Sequence, residues 1–336
     1  MDNQRFLQSP KFINFEITTA CHLRCPQCYS SISSREMDKD LYMGYLKQAA
    51  KFNVKHINLT GGEPLLCSYI DYAIEAINKL GMKAGIVTSG FNLNPKRLEE
   101  LMKVGLKFIT VSLNGSTKEI HEKSRRGFYI SIKAIEALSK TNIFYAINWV
   151  AREDNINDFP ALVELAKSYK VKRIAIRRSK PNINGEKACE PDKDKMIKLA
   201  EFIKLYNSKD ININVYNCYP TLANIIYKDE ESVPDCGCIA GRKYMAIDVD
   251  GNFLPCRLMN YKEKYDSISD YWLNSRVIGM LRSVEENVQS PCRECAMLPA
   301  CRTCRALCQS LYGDFYAGEK DCPFFKEEKN NRHKNF

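Results

Sequence analysis

No apolar run in the chain approaches the ~20 residues needed to span a bilayer, and the opening Met1-Asp2-Asn3-Gln4-Arg5 lacks the basic-then-apolar profile of a signal peptide. The expectation is a cytoplasmic protein without a membrane partner. Nor is there a basic stripe: the net charge of +10 comes from Lys and Arg scattered along the chain, which argues against nucleic acid. What the charge leaves open is an acidic peptide substrate or an acidic electron-donor protein. No internal repeat is visible beyond an alternation of secondary structure. Apolar and charged fractions of 45% and 27% exclude a disordered chain, and 336 residues suffice for one large domain with a smaller appendage.

What is present first is that alternation. Phe12 to Ile17 reads as a strand, Leu41 to Phe52 as a helix, and His56 to Leu59 as a strand. A helix from Ile70 closes at Gly81 before the strand Ala84 to Val87. Asn94 and Pro95 are placed as N-cap and first residue of the next helix, with Leu98, Leu101 and Met102 expected inward and Gly105 at its end. Strands at Phe108 to Leu113, Phe144 to Val150 and Val171 to Ile176, with helices at Ile130 to Ser139 and Phe159 to Tyr169, complete six β/α units. Strands alternating with helices imply a parallel sheet whose sites gather at the carboxyl ends of the strands. A polar stretch leads to a helix over Met196 to Tyr206, and a hairpin is expected with Met245 to Val249 and Phe253-Leu254 around Asp250-Gly251. The organisation expected is 1–180 for the α/β domain, 181–217 for a linker and bridging helix, 218–325 for a cysteine-rich domain, and 326–336 for a charged tail.

Fifteen cysteines in a reducing location read as metal ligands rather than a disulfide framework, and nine of them lie between Cys236 and Cys322. Cys21, Cys25 and Cys28 stand in a C-x3-C-x2-C spacing directly after the first strand. Three thiolates so placed can hold three corners of a [4Fe–4S] cube and leave one iron open to a small molecule. A zinc site would want four closed N/S ligands, and only His22 stands near. This spacing resembles the cluster loop of the radical S-adenosylmethionine (SAM) enzymes. Gly61-Gly62-Glu63-Pro64, directly after the second strand, resembles that family's turn for the methionine amino group: glycine lets bare backbone approach a ligand, and Glu63 could meet an ammonium. Ser112 matches the family's ribose-contacting serine, whereas Asn114 stands where relatives usually carry Asp. Gln27 replaces the aromatic residue that leans on the adenine, and an amide can hydrogen-bond the adenine edge instead. Thr88, Ser89 and Cys67 are weaker candidates for contact or catalysis. For the fold, the resemblance implies an open six-stranded (β/α)6 partial TIM barrel.

Cys238-x12-Gly251-x4-Cys256, followed by Cys292-x2-Cys295-x5-Cys301-x2-Cys304, Cys308 and Cys322, resembles the SPASM extension, which carries two auxiliary iron–sulfur clusters. By the family pattern Cys238, Cys256 and Cys304 hold an inner cluster, and Cys292, Cys295, Cys301 and Cys322 an outer one. The spacing from Cys301 to Cys304 departs from the usual one and is similar to the PQQ and haem-maturation branches. The inner cluster's fourth ligand stays open between Cys236, favoured because the family places a cysteine just upstream, and Cys308. A site without either would be open to a substrate donor.

The function so implied is a radical SAM maturase that modifies a side chain of a ribosomally made peptide or protein, forming a crosslink or an oxidised residue while the auxiliary clusters accept the electron. Its expected partners are that substrate, a separate leader-binding protein, since the cluster loop begins at residue 21, and a flavodoxin- or ferredoxin-like electron donor. The alternatives are formylglycine formation as in anaerobic sulfatase maturation, haem- or PQQ-type cofactor tailoring, and a non-catalytic iron–sulfur scaffold. Arg257 stands where the sulfatase maturases carry an acid, and a scaffold has no need of the Gly61 to Glu63 turn.

Overall fold

The computed structural model describes residues 6–182, 185–206, 210–215, 217, 219–227, 236–259, 261–320, 322 and 324. The tail expected over 326–336 lies outside them, as does Cys218, where the cysteine-rich domain is expected to begin. In chain order the elements are β1 (Phe12–Thr18), α1 (Lys39–Lys51), β2 (His56–Gly61), α2 (Ile70–Lys79), β3 (Lys83–Thr88), α3 (Pro95–Lys103) and β4 (Phe108–Ser112). Next come α4 (Lys118–His121), α5 (Phe128–Ser139), β5 (Phe144–Ala151), α6 (Phe159–Ser168), β6 (Arg173–Arg178), α7 (Lys193–Leu205), β7 (Asn212–Asn214) and α8 (Pro220–Tyr227). The hairpin β8 (Tyr244–Ile247) and β9 (Phe253–Leu254) precedes α9 (Ile268–Asn274), α10 (Arg276–Arg282), α11 (Val284–Asn287), α12 (Leu298–Cys301) and α13 (Arg305–Tyr312).

The six expected strands run β1 to β6 in consecutive parallel order, as an open (β/α)6 partial barrel requires. The sheet then extends beyond them. β7 adds in parallel to β6, while β8 pairs in parallel with the other edge of β1 and carries β9 antiparallel, making nine strands in one open sheet among the described residues. The cysteine-rich segment is thus hydrogen-bonded to the first strand of the barrel.

Alternation along β1 explains how the sheet is covered. Ile13, Phe15 and Ile17 are fully buried, and Asn14 and Glu16 fall on the opposite face. Phe15 meets Tyr42 of α1 edge to face at 5.4 Å between ring centres, so the apolar face takes the helices. The polar face keeps hydrogen bonds across the strands, Asn58 Nδ2 donating to Asn14 Oδ1 at 3.0 Å.

Local signals set the element ends. Asn94 caps α3 by accepting from the Arg97 N–H at 2.9 Å, and Gly81 and Gly105 follow their helices with positive φ. Asp248 accepts from the N–H groups of Asp250 and Asn252, which closes the β8–β9 hairpin around Gly251. The inward placement expected for Met102 fails: that side chain stays 36% exposed, because Leu98 and Leu101 alone complete the buried stripe of α3. Among the described residues, no helix is long and apolar enough to cross a membrane.

Phe15→Ala should cost about 3–5 kcal/mol, since it empties a fully buried aromatic site between β1 and α1. Urea unfolding of the two proteins measures it, and a loss below about 1 kcal/mol would mean that Phe15 is not packed against α1 as described.

Candidate active site

The loop after β1 carries Cys21, Cys25 and Cys28, all half-buried. A turn with the Cys28 N–H on the Cys25 carbonyl at 3.1 Å shapes it, and Arg24 ties it back by donating to the carbonyls of Cys21 and Leu23. The Arg126 N–H donates to Cys25 Sγ at 3.4 Å, and the Gln27 N–H to the Ser124 carbonyl at 3.2 Å. Burial raises the pKa of the Cys21 thiol, and charges on Glu63, Cys25 and Cys28 add to that rise, so the three sulfurs lie within electrostatic reach of one another. Among the described residues, no three His, Cys, Asp or Glu side chains already stand in metal-holding geometry.

The donor set nevertheless fits an iron–sulfur cluster with a ligand beside it. Gln27 Oε1 is buried with no hydrogen-bond partner among the described residues, and so are both ring nitrogens of His22, whose ring lies 4.2 Å from that of Phe91.

The glycine turn sits immediately beside this loop. The Gly62 N–H donates to the Thr18 carbonyl at 2.8 Å and the Glu63 N–H to the Ala20 carbonyl at 2.7 Å. A Cβ on Gly62 would lie 2.3 Å from the Ala20 oxygen, and Gly61 has φ of +138°. The bare backbone expected to meet a ligand is therefore required first by the chain itself, which brings the ends of β1 and β2 into contact.

Glu63 is 1% exposed and accepts from four donors: the Thr88 hydroxyl at 2.6 Å, the Ser89 N–H at 2.8 Å, the Ser89 hydroxyl at 2.6 Å and the Leu65 N–H at 3.2 Å. These fill the lone-pair directions of a carboxylate. Glu63 thus locks the turn to the end of β3, and Thr88 and Ser89 hold Glu63.

Ser112 ends β4 directly opposite Asn148 on β5, and Arg177 Nε of β6 donates to Asn148 Oδ1 at 2.8 Å. Asn114 is a brace: its amide donates to Ser124 Oγ at 2.8 Å and accepts from the Val150 N–H at 3.1 Å. Cys67 lies in the main core, where burial pushes its thiol up to about 12, the behaviour of a packing residue.

In the C-terminal region Cys292, Cys295, Cys301 and Cys322 line one pocket, together with Met297 and Leu298. Burial raises the thiols of Cys292 and Cys301, and the Glu319 N–H donates to Cys292 Sγ at 3.2 Å. Cys238, Cys256 and Cys304 belong to a second, separate apolar cluster. The two thiols left open by the sequence part company here. Cys236 donates to Asn224 Oδ1 at 3.3 Å and lies within electrostatic reach of Cys301, whereas Cys308 follows Cys304 by one turn of α13, with its sulfur accepting from Arg305 Nη2 at 3.4 Å.

Two basic residues that sequence reasoning did not place in the site join these parts. Arg257, next to Cys256, donates to Glu16 Oε1 at 2.7 Å, to Thr60 Oγ1 at 2.5 Å and to the Gly61 carbonyl at 3.3 Å. Lys180 Nζ lies 2.8 Å from Cys304 Sγ. Burial opposes charge on both partners, but their attraction outweighs it, lowering the pKa of Cys304 and raising that of Lys180. Only position signals them: Arg257 adjoins a spaced cysteine, and Lys180 follows a strand end.

The family model of the radical SAM superfamily matches residues 15–166, the stretch that runs from β1 through α6. This chain carries a radical SAM domain. Such domains bind SAM at a [4Fe–4S] cluster, and the half-buried thiols, the orphaned Gln27 amide and the glycine turn fit that pair. The chain is 24% identical over 340 residues to an AdoMet-dependent heme synthase of Methanosarcina barkeri, covering 94% of this chain and 96% of the relative. It is 26% identical over 344 residues to a PqqA peptide cyclase of a Methylobacterium species, covering 94% and 86%. Its fold is similar to that of Streptococcus suis SuiB bound to the precursor peptide SuiA, with a TM-score of 0.78 at 20% identity over 96% of this chain and 78% of SuiB.

Gly62→Ala should weaken SAM binding about tenfold or more, roughly 1.4 kcal/mol, by driving β2 off the Ala20 carbonyl. Equilibrium dialysis of the anaerobic protein measures this. Affinity within twofold of the parent would remove the turn from the SAM site.

Proposed function

We propose that this chain is a radical SAM maturase that modifies a side chain of a ribosomally made peptide, using the barrel of residues 1–180 for SAM and the segment 218–325 for two auxiliary iron–sulfur clusters. The observation that carries the reading is the contact between the segment that opens the C-x3-C-x2-C loop and the glycine turn, together with a pocket lined by four cysteines in the C-terminal region. Reduced by one electron, the SAM-bound [4Fe–4S] cluster supplies a 5′-deoxyadenosyl radical, which takes a hydrogen atom from an unactivated carbon.

The chain's own residues have distinct tasks in this reading. Cys21, Cys25 and Cys28 would hold the [4Fe–4S] cluster by three thiolates and leave it open to SAM. Gln27 reaches the adenine edge and Ser112 the ribose. Glu63, saturated by Thr88 and Ser89, fixes the turn so that Gly61 and Gly62 can frame the methionine end. Cys292, Cys295, Cys301 and Cys322 hold the outer cluster, and Cys238, Cys256 and Cys304 the inner one. We favour Cys308, four residues after Cys304, to complete the inner set: Cys236 faces Asn224 and Cys301, while Cys308 is within electrostatic reach of Cys304 as well as of Cys292.

The peptide substrate is supported by the relatives that cyclise PqqA and by the fold of SuiB in its complex with a precursor peptide. Formylglycine formation is disfavoured, because Arg257 is committed to Glu16, Thr60 and Gly61 and offers no base. Tailoring of a haem precursor is the second reading, favoured by the similarity to the heme synthase over nearly the whole length of both chains. The donor of the starting electron is of flavodoxin or ferredoxin type, acidic against the +10 charge of this chain.

Anaerobic protein should contain roughly twelve irons, three cubes of four. Cys25→Ala should abolish release of 5′-deoxyadenosine, whereas Cys295→Ala should retain much of that release and yet yield no modified peptide. Equal loss of cleavage in both variants, with the fold intact, would refute this division of labour. Loss of two hydrogens from a peptide encoded beside the gene supports crosslinking, and turnover of a porphyrin precursor instead supports the second reading.

A further inference from the structure

The carboxyl end of β6 enters the cysteine-rich region at two points of opposite character. Arg178 donates to Glu190 at 2.7 Å and to Glu319 at 2.5 Å, and the Thr303 hydroxyl also donates to Glu319. The Arg178 and Glu319 side chains are 8% and 3% exposed, so this contact of one guanidinium with two carboxylates is closed to solvent. Burial pushes the Glu319 carboxyl up, but Arg178 pulls it down to about 2, and it stays ionised. Through its own N–H, Glu319 touches Cys292 at 3.2 Å. At this point the outer set meets a backbone donor and the Glu319 carboxylate, with the Arg305 guanidinium within electrostatic reach of Cys292 and no cation hydrogen-bonded to that sulfur among the contacts described.

Two residues further on the arrangement is different. Lys180 places its ammonium 2.8 Å from the Sγ of Cys304, a residue only 7% exposed and part of the apolar cluster against which Cys238 and Cys256 pack. A hydrogen bond from a cation to a ligand sulfur favours the state with more negative charge on iron and sulfur, and low exposure strengthens the effect.

We propose that Lys180 is a positioning residue that sets the reduction potential of the inner auxiliary cluster, making it the electron acceptor of the pair. This rests on reading Cys304 as an inner-cluster ligand. In the net reaction the substrate gives one hydrogen atom to the 5′-deoxyadenosyl radical, one electron to the inner cluster and one proton to solvent, as one new bond forms. Lys180 exchanges no atom in this scheme; it makes the electron's destination more favourable.

The test is an anaerobic redox titration of the full chain, reconstituted with iron and sulfide and followed by electron paramagnetic resonance, with iron counted in every sample. In K180M one midpoint should fall by at least tenfold in the reduction equilibrium, about 59 mV for one electron, with the other two unchanged. K180R, which keeps the charge, should stay near the parent, and K180Q, which keeps a donor without charge, should fall between them. Should K180M lose a cluster, the K180Q and K180R pair reads the same effect. Unchanged midpoints in K180M or in K180Q, or three midpoints moving together, would overturn the proposal. Iron near four per chain in the parent would instead overturn the assignment of Cys304, and this inference with it.

Discussion

Parallel pairing of β1 on both of its edges is the constraint from which the site follows. On one side Phe12 faces His56 of β2, and on the other it faces Tyr244 of β8, so two strands far apart in the chain run in the same direction from the same line. Parallel neighbours present their carboxyl ends at one rim. The cysteine loop and the glycine turn meet there because β1 and β2 end together, and the glycines are needed because the two exits touch. The hairpin that begins the cysteine-rich region is fixed to the same strand.

Charge crossing between the two regions completes the arrangement. Arg257 reaches from the residue after Cys256 to Glu16 and to the turn at Gly61, while Arg178 and Lys180 reach from β6 to Glu319 and Cys304. Taking such groups out of water costs several kcal/mol per ion, which attraction repays only with good geometry and full hydrogen bonding. Arg257 meets that demand with a carboxylate, a hydroxyl and a carbonyl, whereas Arg178 holds two carboxylates but leaves its buried Nη1 without a hydrogen-bond partner among the described residues. What such pairs supply is position: removing one partner leaves a buried charge unmatched.

The local parts of this structure were legible in the sequence, and the long-range parts were not. Helical spacing and the Asn94-Pro95 start placed α3 because caps and periodicity act within a few residues. The hairpin at Asp250-Gly251 was readable for the same reason, but its partner was not, since nothing in Tyr244–Ile247 names β1. Cysteine spacing grouped the outer four residues that now line one cavity, whereas the separation of Cys236 from Cys304 depends on Asn224 and on packing. Glu63 was read as a ligand-facing carboxylate because Thr88 and Ser89 lie a strand away. Met102 was read as inward because apolar spacing overcounts a helical stripe that Leu98 and Leu101 already fill.

The β1–β8 pairing also bears on how the protein is made. Phe12 and Tyr244 are separated by 232 positions, 244 less 12, so one edge of β1 has no partner until most of the chain has been synthesised. At about 5–20 residues per second that interval lasts roughly ten to fifty seconds. An unpaired edge strand carrying Phe12, Ile13, Phe15 and Ile17 is an adhesive surface for as long as it waits. The alternating Asn14 and Glu16, which face away from the helices in the finished fold, put a polar group and a charge on that edge from the moment it leaves the ribosome.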